Sequence, residues 1–373
     1  MLYVLHISDQ KQAMVSYLIE INATEMVSWM NSLLYMAYIG RNLAMIEKYL
    51  EIMDPSIAAN QISKHMLIWS NLEAINGDIE ILRILQRIPK PVIQDLQTYK
   101  LKGAFMTHIC QKGYANIVKV LAPLFDNPNA LAPNAGCTPI CRAAINGHTE
   151  IVKILIPFSD NLSYRDRKGR TLIWYAARHG YTEIIKILLP VTDISSCPDN
   201  FGRSLICEAA RMGHIEVVEF LAPLTDNPNA PDHTGRTPIT EAARKGHSEV
   251  VKILAPLTDN PNAASNNSGF TPIHWATYKG HIEVIKILVP FSENPNYPDH
   301  LGRTPIWYAA KCGHVEILKL LLPITHNPNT PDNSGETPLE CAKRHGQTMV
   351  QTEIFKFWSS KIIKILSNLT VDK

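Results

Sequence analysis

The chain has 373 residues and a formal net charge of only +2, with 19% charged residues, so no overall field points to nucleic acid. Its seven cysteines are an odd number without paired spacing, which predicts free thiols in a reducing compartment rather than a disulfide framework. Because no signal sequence is evident and no run of about 18 apolar residues occurs, we expect a cytoplasmic or nuclear protein without a membrane span.

The first third of the chain has apolar residues at helical spacing but little internal similarity. Residues 1–30 contain no repeated motif, and we predict that they form an N-terminal helical cap. In residues 31–130, Gly40, Gly77 and Gly113 each separate two helical patterns. We interpret this segment as three divergent copies of a unit that is repeated clearly further on.

Residues 131–346 contain a unit that recurs every 33 or 34 residues. In the copy at 235–256, Thr237-Pro238 precedes a stripe of small and aliphatic residues, Gly246 ends it, and a second apolar stripe follows. Pro is favoured in a first helical turn and Gly at a helix end, so each unit predicts two helices joined by a tight turn. One such pair cannot bury its own apolar faces, and the period therefore indicates stacked repeats.

The unit resembles the ankyrin repeat, whose signature Thr-Pro-Leu-His-x-Ala is closely matched by Thr-Pro-Ile-His-Trp-Ala at 271–276. The resemblance implies an all-α ankyrin-repeat solenoid of about ten stacked helix-turn-helix pairs with short finger loops. One departure is the proline at Pro223 and its equivalents, where the family usually ends the second helix with glycine. Residues 347–373 again have apolar residues at helical spacing, and we predict a C-terminal capping helix.

The recurring polar residues are explained by the repeat rather than by catalysis. Histidine follows the helix-ending glycine in five units, and in ankyrin-like repeats it makes structural hydrogen bonds, so we expect no metal site. The sequence lacks a Gly-rich phosphate loop, a nucleophile elbow and metal-binding His or Cys motifs, so we expect neither an enzyme nor a bound cofactor. Asn-Pro-Asn segments predict capped turns, and the resemblance leaves open that their asparagines are hydroxylated.

Positions that vary between units within a constant framework are the candidates for partner recognition. The residue before the repeated Thr is Arg in four units, and aromatic residues follow on the first helix. In ankyrin-like stacks these positions lie on loop tips and on the concave inner face, and Arg, Trp and Tyr often dominate binding energy. The candidate partner-binding residues are Arg170, Trp174, Tyr175, Arg203, Arg236, Arg244, Trp275, Arg303, Trp307 and Tyr308.

From these residues we expect a monomeric protein-interaction scaffold whose arginines pair with an acidic segment of a protein partner. Two alternatives stay open at this point. In the first, the arginines pair internally with Glu208 and Glu241, and the aromatic residues only pack. In the second, the candidate arginine and aromatic residues bind nucleic acid, with bases stacked on the aromatic rings, although the modest net charge argues against it.

Overall fold

The computed structural model describes residues 102–125, 127–131, 137–192, 198–264 and 268–357. These residues contain sixteen α-helices and no strand, which confirms the predicted all-α fold class. None of the described helices is long and apolar enough to cross a membrane. The predicted N-terminal cap at 1–30 and the first two divergent copies lie outside the described residues.

Each unit contributes two helices, as the sequence predicts. The first helices are α1 (Lys102–Lys112), α3 (Pro139–Ile145), α5 (Leu172–His179), α7 (Leu205–Met212), α9 (Pro238–Lys245), α11 (Pro272–Lys279), α13 (Pro305–Cys312) and α15 (Pro338–Arg344). The second helices are α2 (Ala115–Leu121), α4 (Thr149–Leu155), α6 (Thr182–Leu188), α8 (Ile215–Leu221), α10 (Ser248–Leu254), α12 (Ile282–Leu288), α14 (Val315–Leu321) and α16 (348–357).

The chain divides into two compact units, Met1–Asp160 and Asn161–Lys373. In the described part of the first unit, α1 packs against α3 and α2 against α4. In the second unit, each first helix from α5 to α15 packs on the next first helix, and each second helix from α6 to α14 packs on the next second helix. Within each of these two parts of the chain, the helix pairs are therefore stacked as repeats.

Side-chain size explains how neighbouring pairs approach each other. Ala242 and Ala243 on α9 are fully buried, and their small side chains let the first helices pack closely. On α10, Val250, Val251 and Leu254 are fully buried and supply the larger apolar volume. Burial of an aliphatic side chain of this kind contributes about 1.5–3 kcal/mol, so the second helices provide much of the apolar stabilisation.

In the repeat that contains α9, two residues determine where the first helix begins and ends. Thr237 caps α9, because its hydroxyl accepts a hydrogen bond from the Thr240 backbone N–H at 3.2 Å. Gly246 ends the helix with φ of +82°, a left-handed conformation that glycine adopts cheaply. A Cβ atom at Gly246 would also lie 2.7 Å from Nδ1 of His281, which belongs to the next repeat. Both constraints require glycine at this position.

The repeated histidines connect successive repeats. His214 Nε2 lies 2.8 Å from the carbonyl oxygen of Arg178, one repeat earlier, and its ring lies on Gly180. His148 bonds in the same way to the carbonyl oxygen of Gln111. In the described part of the chain no three His, Cys, Asp or Glu side chains group as a metal site would require. These two bonds agree with the structural role that the sequence predicts.

Polar side chains also fix the loops between repeats. Asn229 Oδ1 accepts a hydrogen bond from the Ile239 N–H at 3.1 Å, which joins the loop after α8 to the start of α9. In the finger turn, Asp232 Oδ1 accepts from the backbone N–H of Thr234 and of Arg236. Successive fingers are linked by backbone bonds such as His233 N–H to Phe201 O at 2.9 Å. The fingers are therefore held at a fixed spacing.

Helix α16 occupies the place of a second helix in the last repeat. Val350 and Ile354 on α16 are buried, as are Ile317 and Leu321 at the equivalent places of α14. The predicted capping segment 347–373 begins with this helix. Its remainder, 358–373, lies outside the described residues, and its role as a cap stays a prediction.

Candidate interaction surface

Two of the arginines that precede the repeated Thr, Arg170 and Arg203, are held by the aspartates of their own finger turns. Arg203 donates from Nε and Nη2 to Oδ2 of Asp199 at 3.1 and 2.8 Å, and the Asp199 side chain is fully buried. Arg170 makes the same fork with Asp166, at 2.8 Å from Nε and 2.6 Å from Nη2. Each guanidinium is thus oriented by a two-bond contact.

Arg303 differs, because its Nε lies 3.5 Å from Oδ2 of Asp332 in the next finger. The aspartate of its own finger, Asp299, instead accepts a hydrogen bond from the Tyr308 hydroxyl at 2.9 Å. Burial and the neighbouring Asp299 raise the pKa of Tyr308, so its hydroxyl stays protonated as a donor. The hydrogen bond to Asp299 therefore fixes the orientation of the Tyr308 ring.

Glu208 on α7 forms ion pairs with arginines of two repeats. Its side chain is fully buried, and Arg178 Nη1 lies 2.5 Å from Oε1. Arg211 bonds both carboxylate oxygens, and Arg203 Nη1 lies 3.8 Å from Oε2. Burial alone would raise the pKa of Glu208, but the hydrogen bond from Arg211 and the three positive charges outweigh burial and lower it.

Glu241 repeats this arrangement one layer further along. It is 3% exposed, with Arg244 Nη2 at 2.5 Å and Arg236 Nη1 at 3.5 Å. We call these residues the arginine strip, which comprises Arg170, Arg178, Arg203, Arg211, Arg236, Arg244 and Arg303. The internal pairing of arginines with Glu208 and Glu241, one of the two alternatives left open by the sequence, is thus present in the structure.

The predicted aromatic residues fall into two groups. Trp174 and Trp307 are each only 1% exposed, and Tyr308 is 5% exposed. Tyr175 and Trp275 are partly exposed. The prediction that Trp174 and Trp307 offer surface to a partner is therefore wrong, because both rings lie three residues after the N-cap Thr, where the helix faces its neighbour.

Comparison with protein families supports this architecture. A family model described as ankyrin repeats (3 copies) matches residues 71–166, 158–232, 206–299 and 291–357, together more than half of the chain. The chain belongs to the ankyrin-repeat family. No curated protein matches it significantly. Ankyrin repeats are generally protein–protein interaction modules and are typically non-enzymatic.

The ankyrin signature histidine occurs at the same inward place as the buried tryptophans. His274 is fully buried, and its Nδ1 accepts from the Thr271 N–H at 3.2 Å while Nε2 donates to the Arg303 carbonyl oxygen at 3.1 Å. Burial lowers the pKa of His274 to about 4, so the ring is neutral. The third position after the repeated Thr is buried in six repeats, at Cys141, Trp174, Cys207, Thr240, His274 and Trp307. In the last repeat it holds Glu340, which is exposed.

The fourth position after Thr is the one that meets the arginine strip. It holds Tyr175, Glu208, Glu241, Trp275 and Tyr308 in successive repeats. Counting residues from the N-cap Thr would have separated this register from the core register. The finger aspartates were also missed, although Asp166, Asp199, Asp232 and Asp299 each stand four residues before an arginine.

Proposed function

We propose that this ankyrin-repeat protein is a non-enzymatic scaffold that binds an acidic segment of a partner protein on its arginine strip. The observation that carries the proposal is the placement of charge. The carboxylates of Glu208 and Asp199 are fully buried, whereas Arg178 and Arg203, which pair with them, are 34% and 25% exposed. A partner therefore meets guanidinium groups rather than the acids beneath them.

The internal pairs favour binding in a second way. A guanidinium has five N–H donors, so one held by a buried carboxylate keeps donors for a second acceptor. The pairs already restrict the side chains of Arg178, Arg203 and Arg211. These arginines therefore lose less conformational entropy when a partner binds. The repeat period places arginines of the strip in successive layers, which suits an extended segment with carboxylates along it.

Nucleic acid is the weaker candidate for the same surface. Affinity for a phosphate backbone depends on uncompensated positive charge, because counterion release provides most of the binding free energy. Glu208 and Glu241 compensate part of the charge inside the strip. Steep weakening of oligonucleotide binding with added salt is the result that would favour nucleic acid.

The proposal is tested by selecting binders from a display library of random peptides on the full chain. We expect the enriched peptides to be rich in Asp and Glu, and we expect the double variant Arg236→Gln with Lys279→Gln to bind them about tenfold more weakly or worse. Arg236 belongs to the strip and is 44% exposed. Lys279 is the last residue of α11, outside the strip as defined above, and is also exposed. Both substitutions therefore leave the fold nearly unchanged.

The matched control is Lys252→Gln with Lys286→Gln. These lysines are 67% and 48% exposed on the second helices α10 and α12, and their loss changes the net charge by the same amount. The control should retain binding. If both double variants bound the peptides equally weakly, the loss would be explained by net charge alone. That result would contradict the assignment of the strip as the binding surface.

We also propose that the protein acts as a monomer in a reducing compartment. Cys110, Cys207 and Cys341 are buried thiols without a disulfide in the described residues. Burial raises the pKa of Cys110 to about 12, which keeps it as an unreactive thiol. Sedimentation under reducing conditions, with a mass of one chain, is the expected result.

A further inference from the structure

One place in the arginine strip carries an aromatic side chain instead of arginine. Phe270 precedes Thr271, where Arg170, Arg203 and Arg236 precede their own Thr in other repeats. Its ring centroid lies 4.9 Å from that of Trp275 and 5.1 Å from that of Tyr308. The strip is therefore interrupted by a cluster of rings.

We call the cluster of Phe270, Trp275, Tyr278 and Tyr308 the aromatic patch. Tyr308 is its floor, since it is 5% exposed and its hydroxyl is bound to Asp299. Phe270 and Trp275 are partly exposed, and Tyr278 is 39% exposed with its ring 6.0 Å from Tyr308. The patch has a fixed base and accessible rims, as an anchor site for one apolar side chain requires.

Comparison with another repeat of the same unit explains why the patch is open. At Trp174 and Tyr175, Arg170 lies over both rings, with its Cζ 5.4 and 4.9 Å from their centroids. Phe270 occupies the equivalent place beside Trp275. In the repeat of Arg170, a charged guanidinium lies over the aromatic pair. In the repeat of Phe270, an apolar ring lies beside Trp275 instead and adds to the apolar surface.

Positive charges border the patch. Arg244 Cζ lies 5.9 Å from the Trp275 ring, and Lys279 Nζ lies 5.0 Å from the Tyr278 ring. The acids in contact with this region are already engaged, since Glu241 accepts from Arg244 and Asp299 accepts from Tyr308. A cationic guest such as a lysine side chain is therefore disfavoured, whereas an apolar side chain next to a carboxylate is complementary.

We propose that the aromatic patch anchors one aromatic or large aliphatic side chain of the partner segment, and that a neighbouring carboxylate of the segment pairs with Lys279 or Arg244. This inference rests on the proposed function and adds a rule for the partner. Acidic residues alone are not sufficient, because the segment needs an apolar anchor at the repeat that carries Phe270.

The decisive variant is Phe270→Arg, which gives this repeat the same residue as its neighbours. Peptides are selected from the random library on the full wild-type chain and measured by fluorescence anisotropy. Each enriched peptide is compared with a copy in which its aromatic or large aliphatic residue is replaced by Ala. For wild type we expect this replacement to weaken binding about tenfold. For Phe270→Arg we expect the two peptides to bind within about twofold of each other.

The outcomes separate this inference from the proposed function. Enriched peptides that are acidic but lack a common apolar residue, or that bind equally after the Ala replacement, would overturn the anchor while leaving the arginine strip as the binding surface. Enriched peptides that keep full affinity for Arg236→Gln with Lys279→Gln would overturn both. Displacement of the peptides by single-stranded oligonucleotides at physiological salt would assign the rings to base stacking and also overturn the anchor.

Thermal unfolding of Phe270→Arg provides the folding control. An arginine at this place is already accommodated in the repeats that carry Arg203 and Arg303, so the midpoint should change little. Should the variant unfold early, Phe270→Leu, which keeps an apolar side chain, replaces it. That variant should retain preference for the anchor residue but bind more weakly, and loss of preference without loss of affinity would count against the patch.

Discussion

Replacement of an arginine of the strip by alanine removes hydrogen bonds to its acidic partner in some repeats but not in others. Arg203→Ala strips the fork from Asp199, whose side chain is fully buried, whereas Arg236→Ala removes a 3.5 Å contact to Glu241 that Arg244 still satisfies. An unsatisfied buried acceptor costs about 1–3 kcal/mol, and an exposed pair about 0–1 kcal/mol. We expect Arg203→Ala to lower the free energy of unfolding clearly more than Arg236→Ala in urea titrations.

The comparison is informative because both variants remove the same side chain from the same place in the repeat. Equal destabilisation would mean that the buried aspartate contributes nothing through its arginine. Binding studies of the strip therefore rely on Arg236 rather than Arg203, since a loss of binding by Arg203→Ala would include a loss of folding.

Glu208 makes the stability of the protein depend on pH. Its pKa is lowered from the ordinary value of 4.5, so the folded protein holds the carboxylate charged where the unfolded chain begins to protonate it. The stabilisation is complete above about pH 4.5 and is lost as the pH falls through the lowered folded value. We expect Glu208→Gln to be less stable than wild type at pH 7, by about 1–3 kcal/mol.

That difference should shrink towards zero at pH values below the folded pKa, where Glu208 is protonated in both states. Urea unfolding of the two proteins across this range measures it, and the remaining carboxylates cancel in the subtraction. A difference that stays constant from pH 7 downward would mean that the charge of Glu208 does not stabilise the fold.

At the scale of the helix pair, glycine serves both its own repeat and the next. Gly246 and Gly346 follow the first helices of their repeats with φ of +82° and +68°, so alanine costs about 1–2 kcal/mol of backbone strain at either place. Only Gly246 meets a neighbour, His281 at 2.7 Å, whereas a Cβ at Gly346 meets no atom within 4 Å in the described chain. We expect Gly246→Ala to be the more destabilising variant by about 1–3 kcal/mol.

Chemical unfolding of the two variants measures this contact between repeats, because the strain term is shared. Gly346→Ala is thus the control for backbone conformation. If the two lose the same free energy of unfolding, the histidine yields without cost and the contact does not determine the residue.

The helix pairs were predictable because the same sequence motif recurs in several copies. Thr237, Pro238 and Gly246 each have a local physical role that recurs at a fixed interval, so several copies support one interpretation. The orientation of single side chains was less predictable. Trp174 stands at the third position after the repeated Thr and is 1% exposed, whereas Trp275 stands at the fourth position and is partly exposed. Position alone does not decide exposure, because Tyr308 at the fourth position of the next repeat is only 5% exposed.

Pairing of the arginines with Glu208 and Glu241 was one of the alternatives that the sequence left open, but their pairing with the finger aspartates was not predicted. Arg203 is exposed in an isolated loop, but in the folded finger it lies between Asp199 of its own turn and Glu208 of the first helix. Those contacts depend on the finger geometry, which the repeat period alone does not specify. The i, i+4 spacing of aspartate and arginine was the available signal.

At the scale of the whole molecule, stability depends on how each end of the stack is closed. A stacked repeat is stabilised by its neighbours, so the last repeat needs its second helix to cover the apolar side of α15 and α14. On α16, Ile354 is 2% exposed and the adjacent Phe355 is 55% exposed. These two residues share helix, backbone conformation and apolar character, and they differ in burial.

We therefore expect Ile354→Ala to destabilise the protein by about 2–5 kcal/mol, the usual cost of truncating a buried aliphatic side chain. Phe355→Ala should change stability by no more than about 0.5 kcal/mol, since it removes an exposed ring and alanine is a good helix former. Urea titrations followed by circular dichroism measure both variants. Equal stability of the two would show that α16 is an appendage to the stack. A loss confined to Ile354→Ala would establish that the repeat array continues through α16, beyond the boundary that the sequence period suggests at residue 346.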